Sequence, residues 1–477
     1  MTARVRPYIF YSTTTSLCTT CLRRVEAKIV FQDERVLMLK RCAEHGSESV
    51  LISDDIAYYR ATRETFLKPP EMPQHFNTKV VYGCPYDCGL CEDHEQHSCV
   101  SVIEITDHCN LRCPVCYANS GPERTGYRSL HTVERMLDAV VRNEGEPDVV
   151  QISGGEPTLH PELFAILDAA RARPIRHLML NTNGIRIAKD GAFAERLASF
   201  CPGFELYLQF DSLEEGALRQ LRGADLRSVH AEVLRRCDAL DLPVTLVVTV
   251  QKGVNDGELG SIVEHALTHR SVRGVTFQPV QEAGRLDTFD PTRDRLTLSE
   301  VRRKLLAQTS VFRPQDILPV PCHPDAIAMA YLLKVGDQVT PLSGEVPLEV
   351  LLGPARSTIS FERDAALKQA VFALFSTGIH EGAAGASLKS LLCCLPKVDA
   401  ASAELGYHNL FRVIIMEFAD ARGFDVRSVK KSCVHIVHPE DGRSIPFDTY
   451  NLFYRDRLET ERLAPLRLGK RALLTVP

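Results

Sequence analysis

The chain has 477 residues, 44% hydrophobic and 25% charged, the balance of an ordinary globular protein with length for about three domains. Its 61 acidic and 56 basic residues give a formal charge of −5, and the absence of any Lys/Arg block argues against a dedicated nucleic-acid or anionic-membrane surface. The first residues, MTARVRPYIFYSTTTS, lack the apolar core of a leader, and the most apolar stretch, Val244–Val250, is too short to cross a bilayer. The sequence thus predicts a cytoplasmic protein with no transmembrane segment. Its anomaly is sixteen cysteines, ten of them before residue 117. A secreted disulfide scaffold would be short and would carry a leader, so such clustering points to metal or redox chemistry.

Residues 1–75 hold two knuckles, Cys18-x-x-Cys21 and Cys42-x-x-His45, separated by an alternating apolar stretch over residues 25–39. The alternation predicts a hairpin turning near Asp33 and Glu34. Two knuckles joined by a hairpin suit one tetrahedral ion on Cys18, Cys21, Cys42 and His45, either zinc or a rubredoxin-like iron. Residues 68–73, KPPEMP, predict a linker. Residues 76–100 are too polar for a core of their own but carry Cys84, Cys88, Cys91 and Cys99. Four thiolates would complete an auxiliary [4Fe–4S] cluster with no open iron, suited to carrying electrons or structure.

From 101 to 290 strands and helices alternate. Strands are expected at 102–106, 149–153, 177–181, 205–210, 244–250 and 274–279, with helices at 131–143, 161–172, 192–199, 227–240 and 258–269. This is the α/β pattern of a partial (β/α)6 TIM-like barrel, whose chemistry sits at the C-terminal strand ends. Residues 291–477 predict a separate C-terminal α+β domain, with helices at 298–308, 364–376 and 406–422 and β-like runs around Val434 and Ile445. Cys322, Cys393, Cys394 and Cys433 are scattered through it, either as ligands of a further cluster or as buried cysteines. Cys201 and Cys237 fall in or beside barrel helices as packing residues. His323, His380 and His435 are acid–base candidates for which a structural role is the more frequent outcome.

The decisive segment follows the first barrel strand: Cys109-x3-Cys113-x2-Cys116-Tyr117. Three thiolates at this spacing hold three irons of a [4Fe–4S] cluster and leave the fourth iron open to chelate a small molecule. Structural zinc is the alternative, with Cys99 or His108 as fourth ligand. Ser153-Gly154-Gly155-Glu156-Pro157 follows the second strand. Together the two motifs resemble the radical SAM superfamily. There the open iron binds the amino and carboxylate groups of S-adenosylmethionine, and the stretch matching Gly154, Gly155, Glu156 and Pro157 contacts the methionine amino group. The resemblance further implies that Asn181 and Asn183, after the third strand, and Asp211, after the fourth, reach the ribose and sulfonium side of that cofactor. Each of these also suits an ordinary turn cap. Val115 stands where the superfamily often has an aromatic residue, so adenine stacking either falls to Tyr117 or is lost.

The succession of CxxC…CxxH, GCPYDCGLCEDHEQHSC and CNLRCPVCYA narrows the resemblance to a branch containing archaeal tetraether-lipid synthases and pterin-linked radical SAM methyltransferases. It implies two or three [4Fe–4S] clusters, S-adenosylmethionine, one mononuclear Fe or Zn, and an electron donor of the flavodoxin or ferredoxin type. The expected activity is reductive cleavage of S-adenosylmethionine to functionalise or join unactivated carbon centres, by carbon–carbon or carbon–heteroatom bond formation, on a small molecule or lipid. Transfer of a methyl or 3-amino-3-carboxypropyl group is the alternative, and a plain electron-transfer protein is disfavoured because it has no use for a methionine-binding strand end.

Overall fold

The computed structural model describes residues 5–335, 338–341 and 409–468. The expected helix at 364–376 and the candidates Cys393, Cys394 and His380 lie outside them. Residues 9–53 form a four-stranded antiparallel sheet in sequential order: β1 (Ile9–Leu17), β2 (Arg24–Gln32), β3 (Arg35–Cys42) and β4 (Gly46–Ser53). The β2–β3 hairpin turns at Asp33 and Glu34, both at positive φ (50° and 59°), the conformation a two-residue turn needs to match strand twist. Helix Ile56–Glu64, N-capped by Asp55 on the amide of Tyr58, lays Tyr59 over Ala27, Ile29, Val36, Met38 and Val50. That core is small. Buried Lys40 ties it down, its Nζ donating to Leu17 O at 2.8 Å on the ribbon and to Ala421 O and Arg422 O at 2.9 Å beyond it.

The segment between ribbon and barrel has almost no regular structure, and its backbone is satisfied from outside. The amide of Gln74 donates to Asn143 O, that of Leu90 to Ser444 O and that of Glu95 to Lys430 O.

The barrel strands are β5 (Val100–Thr106), β7 (Val149–Gly154), β8 (His177–Thr182), β9 (Phe204–Gln209), β10 (Val244–Val250) and β11 (Val272–Pro279). They pair in parallel in that order, and two-residue β6 (Val115–Cys116) pairs with β12 (Arg285–Leu286) beside them. Side chains such as Ile103, Val150, Leu180, Leu206 and Val248 meet the apolar faces of helices Leu130–Glu144, Leu163–Arg171 and Arg227–Leu240 in one core.

The described C-terminal residues do not form a separate unit. After β13 (Leu318–Pro319), β14 (Ile327–Val335) and β15 (Gln338–Pro341), β16 (Leu410–Met416) pairs in parallel with β11, and β17 (Val434–Val437) pairs in parallel with β5. Six barrel strands are thus flanked by one further parallel strand at each edge; β18 (Ser444–Pro446) then closes on β17. Where the helix expected over 406–422 is described, the chain is strand β16 and then, from 417, loop and turn. In β16, Val413, Ile414 and Ile415 suit a strand buried on both faces, which shows no alternation to tell it from a buried helix.

From Phe447 the chain continues in short helical turns through Tyr454. Burial pushes the Asp448 carboxyl up to about 6 while it accepts from Ala419 N and, at 3.3 Å, from Ser432 Oγ. The folded protein therefore favours its protonated form. Stability from this group is full below the ordinary carboxylate range and is lost as pH rises through about 6, by roughly 3 kcal/mol at most. Asp448→Asn should flatten the pH dependence of the urea midpoint between about pH 4 and 7; an unchanged slope would show that the carboxyl is already ionised in the fold.

Candidate active site

The loop after β5 carries Cys109 and Cys113 and reaches Cys116 in β6. Its position is set by the glycines after β7. A Cβ on Gly154 would fall 2.2 Å from Thr106 O, and one on Gly155 would fall 2.1 Å from His108 O. Their absence lets the two loops bond backbone to backbone, Gly155 N to Thr106 O and Glu156 N to His108 O, each at 2.8 Å. The motif is a seam that holds the cysteine loop against the second strand end.

One cavity within the barrel is lined by Cys109, Cys113, Cys116, Tyr117, Gly154, Gly155, Glu156, Asn181 and Asn183. Burial pushes the Cys109 thiol up to about 12 and raises that of Cys113, so these are thiols that only a cation would hold as thiolates. Three thiols lining one cavity form a donor set that fits three irons of a [4Fe–4S] group.

Glu156 is buried, which raises its pKa. Its carboxylate accepts from Thr158 N and Oγ1 (3.1 and 2.5 Å), Thr182 Oγ1 (2.7 Å) and Asn183 N (2.8 Å), locking the second strand end to the third. Pro157 opens the short turn Pro157–Leu159 behind it and is not part of the cavity wall. Asn181 donates to Ser153 Oγ at 3.0 Å and accepts from Gln209 Nε2 at 2.8 Å; Gln209 Oε1 in turn accepts from Arg222 at 2.7 Å. The positive charge of Arg222 near Cys113 opposes the burial that raises its thiol.

The expectation for Asp211 is corrected. At φ 60° and fully buried, it spends its carboxylate on Arg222 and on the amide of Thr249 (2.8 Å), and it stands behind the wall. The residues of this strand end that reach the cavity are Gln209 and Arg222. The only sequence signal for Arg222 was its place one helix, Glu215–Arg222, after that strand. Tyr117 lies against Phe447 (ring centroids 4.9 Å apart) and under Arg455 (5.3 Å), whose guanidinium forks onto Glu104 at 2.8 and 2.9 Å.

In the ribbon, Cys18 Sγ and Cys42 Sγ stand 3.6 and 3.5 Å from His45 Nδ1, and Cys21 Sγ stands 3.9 Å from Cys42 Sγ. These are the edges of a tetrahedron around one ion. The hydrogen bond from His45 pulls the Cys42 thiol down to about 6, so that ligand is ready as a thiolate.

Cys99 is not grouped with Cys84, Cys88 and Cys91 as expected. It joins Cys322 and Cys433 in a buried set within 4.8 Å, with Cys322 Sγ 3.7 Å from Cys433 Sγ. The register explains this: β17 pairs Val434 with Val100, so the residues just before them, Cys433 and Cys99, fall side by side, and Val100 N donates to Cys433 O at 3.0 Å. Cys88 shares its loop with Cys84 and Cys91; Thr449 Oγ1 donates to its sulfur at 2.9 Å, and burial together with Cys84 raises its thiol pKa. His435 is buried beside His94 and Ser98 and His323 beside Ser428, burial pushing both below the usual range; neither lines the barrel cavity. Cys237 lies in the barrel core and Cys201 packs against it.

The sequence profile of the radical SAM superfamily matches residues 103–266, and that of the HMPTM N-terminal zinc ribbon domain matches residues 10–54. A 7,8-dihydro-6-hydroxymethylpterin dimethyltransferase of Methanocaldococcus jannaschii is 31% identical, with 96% of this chain and 97% of the relative covered. A GTP 3',8-cyclase of Alkaliphilus oremlandii is 31% identical over 38% of this chain and 57% of its own length. Among solved structures, Streptococcus suis SuiB bound to S-adenosylmethionine aligns with a TM-score of 0.38 at 17% identity, covering 44% of this chain and 47% of its own.

Proposed function

The chain belongs to the radical SAM superfamily, and from that premise we propose that it is a methyltransferase acting on an unactivated carbon of a pterin-class small molecule. The observation that carries the reading is the likeness to a pterin dimethyltransferase along 96% of the chain, from the ribbon through the cysteine loop to the C-terminal strands.

In this reading Cys109, Cys113 and Cys116 hold the [4Fe–4S] cluster. When bound, cluster and S-adenosylmethionine supply the one-electron cleavage of a carbon–sulfur bond, chemistry that no side chain performs. The protein's own part is orientation. In this reading the methionine end lies along the cavity wall formed by Gly154, Gly155 and Arg222, the arginine held in place by Asp211. The amides of Asn181 and Gln209 line up as hydrogen-bonding partners for the ribose. Val102, Met179 and Ile414 form apolar walls that keep water from the reacting carbon. A small reduced iron–sulfur or flavin protein supplies the electron. The ribbon ion and the thiol sets at Cys84, Cys88 and Cys91 and at Cys99, Cys322 and Cys433 serve as structural or electron-carrying centres.

The test is anaerobic turnover under dithionite with methyl-labelled S-adenosylmethionine and a dihydropterin. One S-adenosylmethionine is cleaved to methionine and 5′-deoxyadenosine, which carries off the substrate hydrogen, and a second gives up its methyl group. The expected products are methionine, 5′-deoxyadenosine, S-adenosylhomocysteine and label in the pterin, with dithionite supplying two electrons per methyl transferred. 5′-Deoxyadenosine without transferred label would overturn methylation in favour of bond formation between substrate carbons, and methylthioadenosine would overturn it in favour of aminocarboxypropyl transfer.

A further inference from the structure

We infer that an arginine-lined cleft beside the barrel cavity binds a phosphate ester. The cleft, of about 1540 Å³, lies between the ribbon knuckle at residues 19–24, the loop at 282–286 and the C-terminal segment at 451–466. It shares a wall with the barrel cavity. Asn451 and Arg455 face the cleft, Gln281 and Tyr117 face the cavity, and Asn451 Nδ2 donates to Gln281 Oε1 at 3.1 Å across the wall. A ligand held in the cleft has one layer of side chains between it and the cluster loop.

The wall carries six arginines and three carboxylates in a chain whose formal charge is −5. Three of the arginines are matched: Arg23 by Glu44, Arg124 by Asp456 and Arg455 by Glu104. Arg24 donates to Cys84 O at 3.2 Å and lies 5.0 Å over the Tyr86 ring. Arg457 and Arg462 are exposed and, among the described residues, in no ion pair; the nearby Glu461 is the one carboxylate of the wall in the same state. Guanidinium groups such as those of Arg457 and Arg462 fork onto phosphate oxygens more strongly than onto neutral acceptors. Leucines in the same wall, among them Leu286, Leu452 and Leu458, give the body of such a ligand an apolar bed.

The experiment measures binding to the anaerobically metal-loaded full-length protein with two probes: inorganic pyrophosphate, and phosphatidylcholine vesicles with or without phosphatidylglycerol. The double variant Arg457→Gln/Arg462→Gln should bind at least about tenfold more weakly. The charge-matched control Arg219→Gln/Arg235→Gln, on outer helices where Glu215 and Glu232 hold those arginines, should match the native protein. Loss of pyrophosphate binding in the first variant supports a soluble phosphate ester. Loss confined to phosphatidylglycerol vesicles supports a lipid headgroup. No binding of either probe, no difference between the first variant and the native protein, or equal losses in both variants would overturn the inference. S-adenosylmethionine cleavage by the native protein, measured on the same preparation, separates the two readings. Its absence sinks the radical chemistry, whereas absent anion binding sinks only the cleft.

Discussion

Cys113→Ala should lower reductive cleavage of S-adenosylmethionine to background and remove about four irons from the reconstituted protein. Cys88→Ala should keep substrate-independent cleavage while losing a different group. The two cysteines stand in nearly identical spacings, Cys109-x3-Cys113-x2-Cys116 and Cys84-x3-Cys88-x2-Cys91, so spacing alone does not rank them. Their surroundings do. Cys113 lines the barrel cavity beside Arg222, and its loop is bonded to the glycines after β7. Cys88 faces Thr449, its amide donates to the hydroxyl of Tyr454 at 2.9 Å, and it lines neither the cavity nor the cleft. Iron analysis with single-turnover counts of methionine and 5′-deoxyadenosine would check this. Equal loss of cleavage in both variants would reject the division of roles.

Cys42→Ala should release one metal ion and unfold the ribbon while the barrel stays folded. Structural zinc contributes ~10–16 kcal/mol in small metal-nucleated domains, as much as the whole stability of an average protein. The ribbon cannot offset such a loss, because its own core is six side chains from Ala27 to Tyr59. The expected signature is proteolytic cleavage within residues 9–53 with resistance kept beyond residue 100, and unchanged S-adenosylmethionine cleavage per folded molecule. A variant that retains every metal and the native digestion pattern would show that the four side chains are not a metal knuckle.

The parts legible in the sequence are those governed by local rules. Helix Leu298–Gln308 begins where Thr297 and Glu300 cap each other reciprocally, and β10 spans the expected Val244–Val250. The tight turn at Asp33 and Glu34 and the cysteine loop followed by Gly154 and Gly155 belong to the same class. What was not legible depends on neighbours far along the chain. Leu410–Met416 is a strand because β11 and β14 flank it, and no property of those seven residues alone decides that. Cys99 lies eight residues after Cys91, yet the register of β5 against β17 gives it to Cys433. Asp211 was chosen for its residue type at a strand end, whereas an arginine eleven residues on takes its carboxylate and the place at the cavity.

The set of Cys99, Cys322 and Cys433 also bears on biogenesis. The loop from Cys109 to Cys116 is complete only when β12 has been made and pairs with β6, whereas Cys433 emerges roughly 20–70 s after Cys99 at ordinary translation speeds. Cys99 closes the gap to its partners only when β17 docks on the edge of β5, at the end of synthesis. The buried set can therefore take up a ligand only after β17 has joined the barrel edge, later than the cysteine loop.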